Sequence, residues 1–177
     1  MGIPDSHAAL GPPDPRWPRY TTLAFPSYRH VPGRTPHPRR HPTGHSFGRP
    51  EMSVVVFRED EWRKSSVYQF GIDLYNYGYW WECHEIFEAF WRAAGDGTPA
   101  GQCFRGLIQI AAGNLKRQVG ARQPALNLYQ AGMSRLTVLG RRYMGIDLPQ
   151  FIEKVRAYAE GRTDRPALIR LGDGGGA

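Results

Sequence analysis

Residues 98–120 read TPAGQCFRGLIQIAAGNLKRQVG and carry the clearest helical pattern in the chain. Apolar residues recur there at i, i+3, i+4, i+7, i+8, i+11 and i+15, the spacing of one face of an α-helix. They are Phe104, Leu107, Ile108, Ala111, Ala112, Leu115 and Val119. Thr98 followed by Pro99 is typical of a helix N-cap with proline at the first helical position, and the predicted helix ends at Gly120. We therefore expect a central helix here.

Helical patterns continue on both sides of this stretch, separated by short segments that contain glycine. The other predicted helices run from about Glu59 to Asn76, from Tyr79 to Ala94, from Pro124 to the residues before Gly145, and from an N-cap at Asp147 to Gly161. Because short loops join helices that lie side by side in opposite directions, consecutive helices should pack together. We predict an all-α fold, a single antiparallel bundle of about five helices.

The N-terminal 50 residues differ in composition from the rest of the 177-residue chain. They hold eleven of the fifteen prolines, and seven arginines against two aspartates give them +5 of the net charge of +7. Proline lacks a backbone N–H and excludes long helices and central strands. We predict an extended basic arm over 1–50, a helical domain over 51–161 and a flexible tail over 162–177. The second half of the arm should lie along the domain, and residues 1–30 should be dispensable for folding.

Composition also bears on location. Cys83 and Cys103 lie in apolar helical patterns, so we expect buried thiols in a reducing cytoplasm rather than a disulfide framework. No stretch approaches the 18 apolar residues that a membrane-spanning helix needs, so a membrane partner is not expected. These features predict a cytoplasmic protein. Self-association into a homo-oligomer is left open.

The second predicted helix contains His84, the only histidine after residue 50, among glutamates and tryptophans. His84 and Glu88 are four residues apart and share one helix face, while Glu85 lies about 100° around the axis from His84. An imidazole and carboxylates at this spacing predict His84 and Glu88 as ligands to a divalent metal such as zinc. Glu85 would then be the catalytic general base, acting on a water that the metal makes more acidic.

Two ligands from one helix are too few, so a third would come from elsewhere. The available candidates are Asp73, His37, His45 and Gln109. In the alternative interpretation His84 is a buried polar residue, satisfied by Glu88 or by Gln109 and Asn114 on the next helix. The tryptophans Trp81 and Trp91 would then form core or groove wall, since aromatic side chains dominate core burial.

A second class of function is a non-catalytic binding module. The stretch from Tyr75 to Phe90, with Gly78 in its turn, resembles the middle of a tetratricopeptide repeat, although the next comparable glycine, Gly120, lies 42 residues on rather than 34. In that case Trp81, Glu85 and Glu88 would form a groove for a partner segment. The arginines and aromatics of the arm would suit nucleic acid. A docked arm is the simpler expectation, because the helical domain has no basic stripe.

Four motifs together resemble the domain of unknown function 309 family over roughly residues 65–148. They are Gly71-Ile-Asp-Leu-Tyr-Asn-x-Gly78, Trp81-Glu82-x-His84-Glu85-x-x-Glu88-x-x-Trp91, Gly106-Leu-Ile-Gln109-x-Ala111-Ala112 and Tyr143-x-Gly145-Ile-Asp-Leu148. The segment Pro32–Pro38 with Gly44-His45-Ser46 is similar to an N-terminal extension of some members. The resemblance implies a small all-α protein, and a family label of predicted metal-dependent hydrolase that rests on the histidine-glutamate motif.

Overall fold

The computed structural model describes residues 17–172 and consists mainly of helices. The α-helices are α1 (Ser66–Asn76), α2 (Trp80–Ala94), α3 (Pro99–Gln118), α4 (Arg122–Thr137) and α5 (Leu148–Ala159). A 3-10 helix (Glu59–Lys64) precedes α1, and a small antiparallel hairpin of β1 (Arg142–Tyr143) and β2 (Ile146–Asp147) lies between α4 and α5. The prediction of an all-α bundle is confirmed.

Helix α3 is central, as its long apolar face predicts. It packs against α2 on one side and α4 on the other, while α1 packs on α2 and α5 packs on α4. Leu107 and Ile110 of α3 are fully buried. At Gly132 of α4, an added Cβ atom would lie 2.8 Å from the carbonyl oxygen of Gly106, so the two helix backbones approach closely at paired glycines.

Two helix boundaries differ from the prediction. The first predicted helix is divided at Ser65, which has extended backbone and caps α1 by accepting a hydrogen bond from the N–H of Tyr68. The fourth predicted helix ends at Thr137, and the chain then forms the hairpin, whose turn contains Met144 with a φ of 47°. Tyr143 continues the helical spacing of α4, but it is buried as part of strand β1. Periodicity alone could therefore not distinguish a helix from a strand at this position.

The segment after α5 packs into the core instead of forming a flexible tail. Ile169 is fully buried, its N–H donates to Oδ1 of Asn76 at 2.8 Å, and its carbonyl accepts from Nδ2 of Asn76 at 2.8 Å. Leu171 forms an isolated bridge with Ile146 of β2. An asparagine in α1 thus satisfies both backbone polar groups of a buried residue. The last five residues of the predicted tail, 173–177, lie outside the described residues.

The chain has no regular helix or strand from residue 17 to residue 58, a range that includes the described part of the arm. The arm is nevertheless bound to the helical bundle. The buried carboxylate of Asp73 accepts hydrogen bonds from the N–H groups of Tyr20 at 2.8 Å and Thr21 at 2.9 Å, and from the Thr21 hydroxyl at 2.8 Å. Glu82, also buried, accepts from the N–H of His30 at 2.8 Å. The arm therefore contacts the bundle through residues of its first half as well, whereas only its second half was expected to lie along the domain. This contact argues against the prediction that residues 1–30 are dispensable, although residues 1–16 are outside the described part.

Both cysteines are free thiols buried in the core, as their apolar surroundings predicted. Burial raises the pKa of the Cys103 thiol to about 12. Across residues 17–172, none of the helices combines the length and the apolar character needed to cross a bilayer.

Candidate functional site

Helix α2 presents two different faces. Cys83, Phe87 and Phe90 are fully buried against the core, while Glu85 and Glu88 lie half-buried on the opposite side. His84 lies at the border between the faces and is also half-buried. One ligand atom from each of His84, Glu85 and Glu88 lies within 4.8 Å of the other two, so the helix brings an imidazole and two carboxylates to one point.

The imidazole of His84 has an unsatisfied nitrogen. Its Nδ1 atom is buried and has no hydrogen-bond partner. The residues proposed to satisfy it bond elsewhere. Glu88 accepts from Arg92, Oε1 of Gln109 accepts from Arg135 at 3.1 Å, and Oδ1 of Asn114 accepts from the Tyr129 hydroxyl at 2.9 Å. The alternative of a network between His84 and α3 is therefore not what the structure contains.

Each carboxylate of the cluster is paired with an arginine. The Nε group of Arg39, from the arm, donates to Oε2 of Glu85 at 2.7 Å. The Nη2 group of Arg92, one turn along α2, donates to Oε1 of Glu88 at 2.8 Å and lies near Glu51, at 3.6 Å through its other terminal nitrogen. These ion pairs hold both carboxylates in defined positions, and they compete with any other cation for them.

The other candidate ligands lie apart from this cluster. Asp73 is covered by the arm, and Nε2 of His45 lies 3.0 Å from Oε1 of Glu82. His37 packs edge-on against the ring of Trp81, with 5.3 Å between centroids, and its Nδ1 accepts from the backbone of the arm. Within residues 17–172, the group with metal-ligand proximity is limited to His84, Glu85 and Glu88.

The two tryptophans singled out from the sequence have different surroundings. The Trp91 indole N–H donates to Oδ1 of Asp96 at 3.1 Å, and the Arg105 guanidinium lies 5.1 Å from its ring centre, so Trp91 belongs to the α2–α3 turn. Trp81 contacts the arm histidines His30 and His37. Burial lowers the pKa of His30, and the neighbouring Glu82 carboxylate opposes this shift without cancelling it.

A cleft of about 150 Å³ lies between the arm and helices α1 and α2. Glu82, Glu85 and Glu88 line it from α2, and Arg39 and His45 line it from the arm. Sequence reasoning did not select Glu82 or Arg39. Arg39 is one of seven arginines in a segment without periodicity, and a buried glutamate has no spacing signal that separates it from an exposed one.

The comparison with family models gives one match. The family described as Domain of unknown function (DUF309) matches residues 68–128, which extend from α1 through α3 into α4. The matched segment contains the His84, Glu85 and Glu88 cluster, whereas the hairpin and α5 lie outside it. No curated protein matches the chain. Over residues 68–128, about a third of the chain, the sequence is therefore similar to a family whose function is unknown.

Proposed function

We propose that this protein is a metal-dependent hydrolase in which His84 and Glu88 bind a divalent metal and Glu85 is the general base. The observation that supports this proposal is the mutual proximity of the three ligand atoms, within 4.8 Å. Ligands about 2.1 Å from a tetrahedral zinc lie roughly 3.4 Å from one another. Side-chain movements on the order of 1 Å would therefore bring His84 and Glu88 to ligand distance with Glu85 beside the ion, and water or substrate would supply the remaining ligands.

The donor set fits such an ion. The buried Nδ1 of His84 has no hydrogen-bond partner, and a neutral imidazole can bind a cation through the lone pair of a ring nitrogen. One imidazole with carboxylates suits zinc, manganese or ferrous iron. When bound, the ion would act as a Lewis acid and lower the pKa of a coordinated water to about 7.

The residues around the cluster have separate roles in this proposal. The Glu85 carboxylate, fixed by the 2.7 Å bond from Arg39, accepts the proton of the attacking water through its other oxygen. Arg92 fixes Glu88 in the same way, at 2.8 Å. The adjoining cleft admits the substrate, with Trp81 as one of its walls. A small substrate is implied, because the cleft has a volume of about 150 Å³.

A second candidate function is a non-catalytic helical binding module that uses the same cleft. The arginine partners of Glu85 and Glu88 favour it, because both carboxylates are already neutralised without an ion. In this function His84 has no chemical role. The two candidates make opposite predictions for metal content.

Elemental analysis and thermal melts separate the two functions. The hydrolase proposal predicts stoichiometric metal in the purified protein or a higher Tm on addition of zinc or manganese. A metal at one hundred times its Kd stabilises the native state by about 2.7 kcal/mol. For a chain of this size, that corresponds to a Tm increase of roughly 5–11 °C.

The matched variants are His84→Ala and His41→Ala. His41 is an exposed arm histidine whose Nδ1 contacts Thr43, so its removal should leave metal binding unchanged. His84→Ala should abolish both the metal content and the metal-dependent Tm increase. Metal-free wild-type protein that is fully folded and gains no stability from either ion would eliminate the hydrolase and leave the binding module.

A further inference from the structure

The described part of the arm carries formal charge of one sign. Residues 17–50 contain six arginines and no lysine, aspartate or glutamate. Docking on the bundle uses two of the six, because Arg19 and Arg39 lie within ion-pair distance of carboxylates in α1 and α2. Within residues 17–172, the other four form no ion pair, and three of these four are exposed: Arg34, Arg40 and Arg49. The docked arm therefore presents uncompensated positive charge to solvent.

Two of the exposed arginines belong to one compact loop, residues 37–49. The N–H of Ser46 donates to the carbonyl oxygen of Pro38 at 3.1 Å. Nη1 of Arg39 donates to the carbonyl oxygen of Arg49 at 3.2 Å. Because these bonds join the first residues of the loop to its last ones, Arg40 and Arg49 lie on one small area of surface.

An exposed aromatic ring belongs to the same loop. The Phe47 side chain is 48% exposed, and the N–H of Phe47 donates to the carbonyl oxygen of Gly44 at 3.0 Å. Aromatic rings beside positive charge are typical of surfaces that bind single-stranded nucleic acid, since bases stack on the ring and cations contact the phosphates. Arginine is well suited to the second contact, because its planar guanidinium can donate two parallel hydrogen bonds to one phosphate.

Three carboxylates that neighbour the loop already have basic partners: Glu85 with Arg39, Glu82 with His45, and Glu51 with Arg92. They therefore leave the charge of the exposed arginines largely uncancelled. We propose that the loop 37–49 binds single-stranded nucleic acid, with Arg40 and Arg49 at its phosphates and Phe47 against a base. The inference goes beyond the metal-dependent hydrolase, because it involves neither the metal cluster nor an ion, and measurements in a chelator keep the two proposals separate.

Fluorescence anisotropy of the full chain with a labelled oligothymidylate of about 16 nucleotides tests the proposal. Binding should have a Kd on the order of 10 μM at about 50 mM salt and should weaken as salt is added. An abasic oligonucleotide of equal length has the same phosphates but no bases, so it should bind about tenfold more weakly. Equal affinity for the two oligonucleotides, no binding at about 100 μM protein, or equal binding to anionic phospholipid vesicles overturns the proposal.

Two variants separate the phosphate contacts from the base contact. Arg40→Gln combined with Arg49→Gln should reduce the slope of log affinity against log salt by about 1.4, since each phosphate contact on a single strand contributes about 0.7. Phe47→Ala should weaken oligothymidylate binding about tenfold and leave this slope unchanged.

Each variant has a matched control at exposed positions outside the loop. Arg122→Gln combined with Arg141→Gln removes the same charge, and Leu23→Ala removes an apolar side chain that is 45% exposed. Thermal melts should be the same for all of them, because every changed side chain is exposed. An equal reduction of the slope in both arginine variants would assign the binding to overall charge and refute the loop. Equal oligothymidylate affinities of Phe47→Ala and Leu23→Ala would refute the base contact and with it the proposal.

Discussion

Replacing Asp73 with asparagine tests how strongly the arm is coupled to the bundle. The Asp73 carboxylate is fully buried and accepts three hydrogen bonds from Tyr20 and Thr21, all between 2.8 and 2.9 Å. Hydrogen bonds to a charged acceptor contribute about 1.5–3 kcal/mol each. Asparagine retains one acceptor oxygen but directs an amide donor at the Thr21 N–H. We therefore expect Asp73→Asn to lower the free energy of unfolding by about 3 kcal/mol, one bond lost and the others weakened.

Thermal and urea melts measure this loss. For a chain of this size, about 3 kcal/mol corresponds to a Tm decrease of roughly 6–12 °C. Asp60→Asn is the matched control, because its ion pair with Arg58 is exposed, at 64% and 78% of the two side chains, and such pairs contribute about 0–1 kcal/mol. Helix content by circular dichroism should be nearly the same in both variants.

The reasoning is refuted if Asp73→Asn and Asp60→Asn melt at the same temperature. In that case the arm would associate with the bundle without stabilising it, and residues 17–21 would indeed be dispensable. An intermediate result, with a lower Tm but a second transition for the arm, would show that the arm unfolds separately from the helices.

Two further perturbations address pH and helix packing. Burial lowers the pKa of His30 below its ordinary value of 6.5. At a pH between the lowered pKa and the ordinary one, the unfolded chain binds more protons than the native protein. The free energy of unfolding therefore falls as the pH drops below about 6.5. Urea melts at about pH 7 and about pH 5 should show a larger loss for wild type than for His30→Gln, and equal losses would contradict this account. Gly132→Ala should destabilise by about 1–3 kcal/mol, because the new Cβ atom would lie 2.8 Å from both the Gly106 carbonyl oxygen and Cγ1 of Ile110. Gln130→Ala, at an exposed position of α4, is the control, and a Gly132→Ala urea midpoint equal to that of the control would show that α3 and α4 adjust freely.

The helices were predictable because each buries one continuous stripe of apolar residues. In α3 the predicted stripe supplies the buried residues Phe104, Leu107 and Ala111, although Val119 at its end is exposed. In α2 the predicted stripe supplies Cys83 and Phe87. Asp147 was also predictable as an N-cap, and its carboxylate does accept from the N–H of Gln150. Local chemistry determines these features, so a single sequence contains the information.

The contacts that hold the arm and the C-terminal segment were not predictable in the same way. Asp73 and Thr21 are 52 residues apart, and Asn76 and Ile169 are 93 residues apart. No periodicity links such positions, and a glutamate such as Glu82 can be recognised as buried only when its partners are known. The candidate site shows the same division: the helical spacing of His84 and Glu88 was visible, whereas the pairing of Glu85 with Arg39 was not.

The carboxylates of Asp73 and Glu82 hold the arm largely through main-chain donors, and this sets an unusual rule for its sequence. The N–H groups of Tyr20, Thr21 and His30 are required, while the side chains at 20 and 30 are not what the carboxylates contact. Proline, abundant throughout the segment, is the residue that cannot occupy these positions, because it has no N–H to donate. A proline at any of these three positions would therefore remove a donor that a buried carboxylate requires, whatever the neighbouring side chains are.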